Sequence, residues 1–256
     1  MYYNDNIGWI SKASVIAGAF AVSEGKERVW LKAYTLLAAA YVRSCMAEQN
    51  GSVPSEWLHT PLEQLTPQQC RAIMDYGIQQ GWKLHHFKEK EELPRVRMAE
   101  GFLRAVYPQS LLDVGSGRGA FLFPFLRDFP HTPVTSLDIL PHRVAFLQQL
   151  HDGGIHRLTA IQEDICTWQA PDNSFDVVTL LEVLEHIPAV EQAVLNAVRL
   201  AERYIVVSVP SKPDNNPEHI HLLTKEKLTA LFGAAGVTKL HFDGVNGHLF
   251  MTASKG

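Results

Sequence analysis

From residue 110 to residue 253, short apolar runs alternate with longer segments whose apolar residues recur at helical spacing. Strands that are separated by helices form right-handed crossover units on a mostly parallel sheet. The alternation therefore predicts an α/β fold with one doubly wound sheet, and the last two runs, joined across two glycines, predict an antiparallel hairpin at its edge. The seven predicted strands are residues 110–114, 134–138, 158–162, 175–181, 204–209, 238–242 and 248–253.

The region before the sheet has a different pattern. Between residues 7 and 82, apolar residues lie three and four positions apart without strand alternation, which predicts helices. The apolar run 13–22 is too short to cross a bilayer and is predicted to be one of these helices. Thr66 and Pro67 are typical of a helix start, so a further helix is predicted at 67–80.

A charged stretch at residues 88–92 separates this helical region from Pro94, which opens another predicted helix. We therefore predict two units. Residues 1–93 form an N-terminal helical region that acts as a lid, a substrate pocket or an oligomer contact. Residues 94–256 form the domain that carries the sheet.

The composition excludes several classes of protein. The formal net charge of the 256-residue chain is -4, so no broad surface for a polyanion is indicated. The three cysteines include no CxxC pair, which argues against a disulfide framework and against a thiolate zinc site. The N-terminus lacks the basic segment of a signal peptide. These features predict a cytoplasmic protein without a membrane-spanning segment.

The most informative motif follows the first predicted strand, where the sequence reads LLDVGSGRGAF from residue 111. Gly115, Gly117 and Gly119 allow a sharp bend and a close approach of a ligand to the backbone. A dinucleotide fingerprint would read GxGxxG, whereas this loop reads GxGxG and follows Asp113. The combination resembles the first motif of class I S-adenosylmethionine-dependent methyltransferases, which have a Rossmann-like fold.

The resemblance implies S-adenosylmethionine as the cofactor. Asp138 ends the second strand about twenty residues after the loop, where the family holds the ribose hydroxyls. Asp164 follows the third strand, where the family places a carboxylate against the adenine amino group, and Ile165 or Cys166 would cover the purine. The implied cofactor-binding residues are Asp113, Gly115, Ser116, Gly117, Gly119, Asp138, Ile139, Asp164, Ile165 and Glu182.

A second candidate cluster follows the fourth strand. Glu182, Glu185 and His186 are spaced at i, i+3 and i+4, so they would share one face if the segment were helical. Two carboxylates and an imidazole so placed could bind a divalent ion, orient a nucleophile or act as a general base. In the alternative interpretation, Glu182 lines the methionine end of the cofactor, Glu185 orients the backbone and His186 is a packing residue.

A histidine-containing stretch from residue 217 to Thr224 favours the metal interpretation. In small-RNA 3′-terminal 2′-O-methyltransferases, a similar ExxEH segment and a later histidine ahead of a threonine bind a metal ion. This resemblance implies Glu182, Glu185, His186 and His219 as ligands of Mg²⁺ or Mn²⁺, although residues 221–223 depart from that family's pattern. Ubiquinone-pathway O-methyltransferases share the ExxEH segment and again imply a divalent ion.

Three functional hypotheses follow. The first is a methyltransferase that acts on an oxygen or nitrogen of a small molecule, with His186 as the base and Glu185 as its partner. The second is a metal-assisted RNA 2′-O-methyltransferase, which the absence of a basic stripe disfavours. The third is a non-catalytic protein that binds S-adenosylmethionine. The N-terminal helices are candidates for a homodimer contact.

Overall fold

The computed structural model describes residues 27–48, 55–88 and 92–256. Their strands form a single seven-stranded sheet in the order β3-β2-β1-β4-β5-β7-β6. The bounds are β1 (Leu111–Val114), β2 (Val134–Asp138), β3 (Leu158–Gln162), β4 (Phe175–Leu181), β5 (Ala201–Pro210), β6 (Lys239–Val245) and β7 (His248–Ser254).

The strand directions confirm the predicted fold class. β1 to β5 are parallel to one another, whereas β7 is antiparallel to both β5 and β6. The order reverses between β1 and β4, because the chain first runs outward to β3 and then returns to β4 on the other side of β1. In such sheets, a crevice opens outside the carboxyl ends of the two strands where the order reverses.

Eight α-helices are described, and several begin as their sequences indicate. Thr66 and Gln69 form a reciprocal capping box, with the Thr66 side chain accepting from the Gln69 amide and the Gln69 side chain accepting from the Thr66 amide. The bounds are α1 (Glu27–Glu48), α2 (Ser55–His59), α3 (Pro67–Gln79), α4 (Pro94–Val106), α5 (Leu122–Asp128), α6 (Pro141–Asp152), α7 (Val190–Leu200) and α8 (Lys225–Ala234).

The helices cover the two faces of the sheet in separate layers. Leu111 belongs to the core that includes α1 and α3 to α6, whereas the next residue, Leu112, belongs to the core that includes α7 and α8. This alternation follows from the two-residue period of a strand, which points successive side chains to opposite faces. Both faces are therefore buried, as expected for a doubly wound sheet.

The N-terminal helix α1 packs against the sheet domain through small residues. Ala38, Ala39 and Ala40 are fully buried, and α1 lies against α3, α5 and α6. At Gly153, just after α6, an added Cβ would lie 1.8 Å from the Ala40 carbonyl oxygen. The two backbones therefore touch.

The boundary at residue 93 stays a prediction, and the helix predicted at 13–22 lies outside the described residues.

Within the described parts of the chain, no helix is both long and apolar enough to span a bilayer. All three cysteines lie in these parts, and none of them forms a disulfide.

We expect Gly153→Ala to destabilise the contact between α1 and the sheet domain. The backbone of Gly153 is right-handed, so alanine is conformationally acceptable and the effect arises from the clash with Ala40 alone. Overpacking of this kind costs roughly 1–3 kcal/mol. Urea unfolding measures this loss, and hydrogen exchange of α1 amides should increase with it.

Gly233→Ala is the matched control, because nothing lies within 4 Å of an added Cβ at this position in α8. The control should be neutral or stabilising, since alanine is the better helix former. A Gly153→Ala protein as stable as the control would contradict the close backbone contact.

Candidate active site

The glycine loop turns the chain sharply at the carboxyl end of β1. Gly115, Gly117 and Gly119 have φ values of +67°, +59° and +78°, which side chains rarely adopt. An added Cβ at Gly115 would also lie 2.8 Å from a Val183 methyl, so the loop packs tightly against the segment after β4. Gly119 leaves room for the ring of Phe123, because a Cβ added at this position would lie 2.5 Å from the nearest ring atom.

Asp113 connects this loop to the strands on either side. Its carboxylate accepts hydrogen bonds from Ser116 Oγ at 2.5 Å and from Thr179 Oγ1 at 2.8 Å, and Ser116 Oγ is also 2.6 Å from Ser136 Oγ. The side chain is buried. Burial raises the pKa of the Asp113 carboxyl to about 6, although the two donated hydrogen bonds lower it.

Asp138 is the last residue of β2 and is also buried. Its Oδ1 accepts from the Leu140 amide at 3.0 Å, and its Oδ2 lies 3.4 Å from Arg143 Nη1. Each carboxylate oxygen can accept a second hydrogen bond, so the side chain can still bind two hydroxyl groups. This position is the one predicted for the ribose ligand.

The residues predicted to hold adenine lie after β3. Asp164 is exposed, and its Oδ1 accepts a hydrogen bond from the Cys166 amide at 2.8 Å. Ile165 is buried, whereas Ile139 is 62% exposed. All three line the same cavity. A planar ring can therefore pack against the two isoleucines and direct a hydrogen-bond donor to the Asp164 carboxylate.

This cavity has a volume of about 770 Å³, within the usual range for small-molecule sites. It extends from the glycine loop to the segments after β4 and β5. Apart from Gly119, every residue predicted to bind the cofactor lines it. Further lining residues are Leu93, Arg95, Arg118, Arg143, Glu163, His186, Ile187, Pro188, Glu218 and Ile220.

The single helical face predicted for Glu182, Glu185 and His186 is wrong. Glu182 follows β4 with a left-handed φ of +61°, and only residues Leu184–His186 form a short 3₁₀ turn. The Glu182 carboxylate accepts a hydrogen bond from Ser208 and lies 2.9 Å from His248 Nε2. Partners on β5 and β7 thus hold the Glu182 carboxylate.

The structure groups three of the four predicted metal ligands, without Glu182. Glu185, His186 and His219 each offer one ligand atom, and these three atoms lie within 4.8 Å of one another. The rings of His186 and His219 are perpendicular, with centroids 4.8 Å apart. His186 lines the cavity, so the group borders the same cleft as the glycine loop.

Glu185 is the most unusual member of this group. Its side chain is completely buried, and neither carboxylate oxygen has a hydrogen-bond partner among the described residues. The pKa of the Glu185 carboxyl is raised to about 8, mainly by burial, with smaller contributions from the carboxylates of Glu182 and Asp214. Unpaired buried carboxylates are costly and rare.

The backbone after β5 holds this group in place. Ile220 and His221 both donate their amide hydrogens to the Glu185 carbonyl oxygen, at 3.0 and 3.2 Å. His186 Nδ1 is 3.0 Å from the Glu218 carbonyl oxygen. A carbonyl accepts only, so Nδ1 carries the proton and Nε2 is left as the acceptor nitrogen.

Sequence reasoning missed four polar residues at the cleft: Arg95, Ser208, Asp214 and His248. Arg95 lies at the start of α4, lines the cavity and places its Nε 3.7 Å from Glu182. Its two terminal nitrogens have no partner among the described residues. None of the four belongs to a recognisable motif. Only the position of Arg95 just after Pro94, at the entry to the sheet domain, was a usable signal.

Part of the chain is similar to known methyltransferases. Residues 112–203 match the model of a family described as a methyltransferase domain. A ubiquinone biosynthesis O-methyltransferase from Hahella chejuensis is 30% identical over 146 residues, which cover 56% of this chain and 60% of that protein. The match therefore spans less than two thirds of the relative's length.

Solved structures show the same fold. A 1,6-didemethyltoxoflavin-N1-methyltransferase from Burkholderia thailandensis matches with a TM-score of 0.51 and 21% identity, covering 75% of this chain and 91% of the other. For a SAM-dependent methyltransferase from Archaeoglobus fulgidus, the TM-score is 0.50 and the identity 15%, with coverages of 62% and 94%. The predicted Rossmann-like methyltransferase fold is thus confirmed.

We expect Thr179→Val to raise the pKa of Asp113 above about 6. The substitution removes one of two hydroxyl donors to the carboxylate, and losing a donor disfavours the charged form. Carbon-detected NMR titration of aspartate carboxyl groups measures the shift. Thr229→Val on α8, whose hydroxyl donates to the Lys225 carbonyl, should leave this pKa unchanged. A lower pKa in the Thr179 variant would contradict the assigned hydrogen bond.

Proposed function

We propose that this chain, whose residues 112–203 are a methyltransferase domain, transfers the sulfonium methyl group of S-adenosylmethionine to an oxygen or nitrogen of a small molecule. One observation carries the proposal: a cavity lined by the glycine loop and two strand-end acids is bordered by a buried carboxylate and two histidines. The glycine loop and the two acids suit the cofactor, and the buried carboxylate with the two histidines suits the acceptor.

The described side chains are placed to bind each part of the cofactor. Asp138 accepts the ribose hydroxyls, and Asp164 accepts the adenine amino group beside Ile165. At the amino-acid end, the Arg95 guanidinium is suited to the carboxylate and the Glu182 carboxylate to the ammonium group, since a zwitterion needs both signs of charge. The bound cofactor supplies an activated methyl group, so the protein mainly positions and orients.

A divalent cation such as Mg²⁺ or Mn²⁺ fits the group at Glu185, His186 and His219. The fit rests on the two Glu185 oxygens, which are buried without any hydrogen-bond partner in the described residues. Carboxylate oxygen and imidazole nitrogen are ordinary ligands for such ions. A cation there would act as a Lewis acid that lowers the pKa of an acceptor hydroxyl. Without a cation, the His186 Nε2 is the nitrogen that would accept the acceptor's proton.

The cavity wall near this group favours a small acceptor with an apolar body. Leu93 and Ile220 are 38% and 51% exposed, and they line the cavity together with Ile187 and Pro188. Apolar walls with a few polar groups are typical of small-molecule pockets. An RNA acceptor is less favoured, because the net charge of -4 offers little attraction to a phosphate backbone.

Location and assembly remain proposals. Cysteines without disulfides support a cytoplasmic location. The N-terminal helices are the proposed homodimer contact.

We expect Asp138→Ala to weaken binding of S-adenosylhomocysteine by at least about 100-fold, since hydrogen bonds to a charged acceptor contribute about 1.5–3 kcal/mol each. Isothermal titration calorimetry measures the affinity. Asp152→Ala is the control, because this residue at the end of α6 is exposed and its carboxylate accepts a hydrogen bond from Gln148 on the same helix. Equal affinities for the two variants would reject Asp138 as the ribose ligand.

We expect Glu185→Gln to abolish binding of Mn²⁺ and to reduce turnover at least 100-fold while preserving the affinity for S-adenosylhomocysteine. Glutamine keeps the volume but removes the charged ligand, and the protein should fold because burial already favours the neutral form of Glu185. Calorimetry with MnCl₂ and MgCl₂ measures binding. Glu226→Gln, at an exposed position in α8, is the control.

Turnover is measured with methyl-labelled cofactor against metabolite pools and total RNA, with and without chelator. Chelator-insensitive turnover would reject the cation and leave His186 as the base. Labelled RNA would reject the small-molecule acceptor. Binding of S-adenosylhomocysteine without any turnover would favour a non-catalytic protein.

A further inference from the structure

The loop between β5 and α8 carries an aspartate that contacts the candidate metal group from outside. Asp214 Oδ2 lies 2.7 Å from His219 Nδ1. Its other oxygen, Oδ1, accepts a hydrogen bond from the Asn216 amide at 2.9 Å. The carboxylate therefore has one oxygen on the loop backbone and one oxygen on the histidine ring.

The contact with Asp214 bears on which nitrogen of His219 carries the proton. The Nδ1 atom is buried, and Asp214 Oδ2 lies 2.7 Å from it without the alignment of a hydrogen bond. At this distance a carboxylate oxygen repels a lone pair on Nδ1 and attracts a proton there. A carboxylate can only accept, so a neutral His219 ring places its proton on Nδ1. The lone pair that can bind a metal ion is then on Nε2.

His186 is oriented by the same loop. Its Nδ1 faces the Glu218 carbonyl oxygen at 3.0 Å, which also leaves Nε2 with the lone pair. The residue after Glu218 is His219 itself, so a few residues of one loop set the proton position of both histidines. Both rings then offer Nε2 as the ligand nitrogen, and one ring nitrogen of each histidine lies within 4.8 Å of a Glu185 carboxylate oxygen.

We propose that Asp214 is a positioning residue that holds His219 in the Nδ1-protonated form, so that Nε2 is available to the divalent cation. This inference rests on the cation in the proposed function. Acceptors behind metal-bound histidines fix the ring and raise its basicity, and removing them typically weakens metal binding by 10- to 100-fold.

The loop should keep its shape when only the charge of Asp214 is removed. Asn216 Oδ1 accepts from the Glu218 amide at 3.0 Å, and the Asn216 carbonyl accepts from the His219 amide at 3.1 Å. In Asp214→Asn, the amide oxygen can still accept from the Asn216 amide. The amide NH₂, however, donates to Nδ1 and so favours the proton on Nε2, where it blocks the metal.

Asp214→Asn is therefore expected to bind Mn²⁺ 10- to 100-fold more weakly than wild type by calorimetry, with unchanged affinity for S-adenosylhomocysteine. In ¹⁵N NMR spectra of the metal-free proteins, His219 should be protonated on Nδ1 in wild type and on Nε2 in the variant. Asp243→Asn is the matched control. It removes the charge of an aspartate that lies 3.0 Å from a histidine, His241, in an exposed pair on β6.

Each outcome decides the inference. Weaker Mn²⁺ binding together with the change of tautomer supports it. Equal Mn²⁺ affinity in wild type and Asp214→Asn overturns this inference alone and leaves the proposed cation in place. A wild-type protein that binds no Mn²⁺ overturns both. An Nε2-protonated His219 in wild type overturns the role of Asp214 whatever the variant does, including a variant that folds poorly.

Discussion

The buried Asp113 carboxylate is the interaction on which the geometry of the cleft depends. Its partners come from the loop after β1, through Ser116, and from β4, through Thr179, while Ser116 reaches Ser136 on β2. One network thus joins the loop to the three central strands at the point where their order reverses. An unpaired carboxylate at this depth would be very costly. The loop must therefore turn back over Asp113, and the glycines permit that turn.

The strands could be predicted because buried parallel strands appear in the sequence as short apolar runs. β2, β3 and β4 begin and end at the predicted residues. β5 begins three residues earlier than predicted, at Ala201, because the polar residues Glu202 and Arg203 interrupt the apolar pattern and belong to the sheet through long-range partners. Among these, Arg203 binds Asp176, which lies 27 residues away in the chain. No local pattern contains that information.

Site residues could be predicted from the sequence where they lie at the end of a strand. Asp138 and Asp164 are found where the sequence places them, because a strand end can be located from its apolar run. Glu182 is different, since its left-handed backbone and its carboxylate are held by Ser208 and His248, which are distant in the chain. Helical spacing describes neighbours only, so it predicted a shared face that the tertiary contacts prevent. Asp214 could not be found either, because its role depends on the fold of a polar loop.

The charges of the cavity wall connect the cofactor to the choice of acceptor. Acidic side chains outnumber guanidinium groups two to one: Asp113, Asp138, Glu163, Asp164, Glu182 and Glu218 against Arg95, Arg118 and Arg143. Electrostatic interactions are stronger in a partly desolvated cleft than in water. A sulfonium with an ammonium group and a divalent ion both reduce the repulsion among these acids, whereas a phosphate chain would add to it. The charge of this wall thus disfavours the RNA acceptor that was the alternative to the proposed small molecule, and a neutral acceptor meets no such penalty.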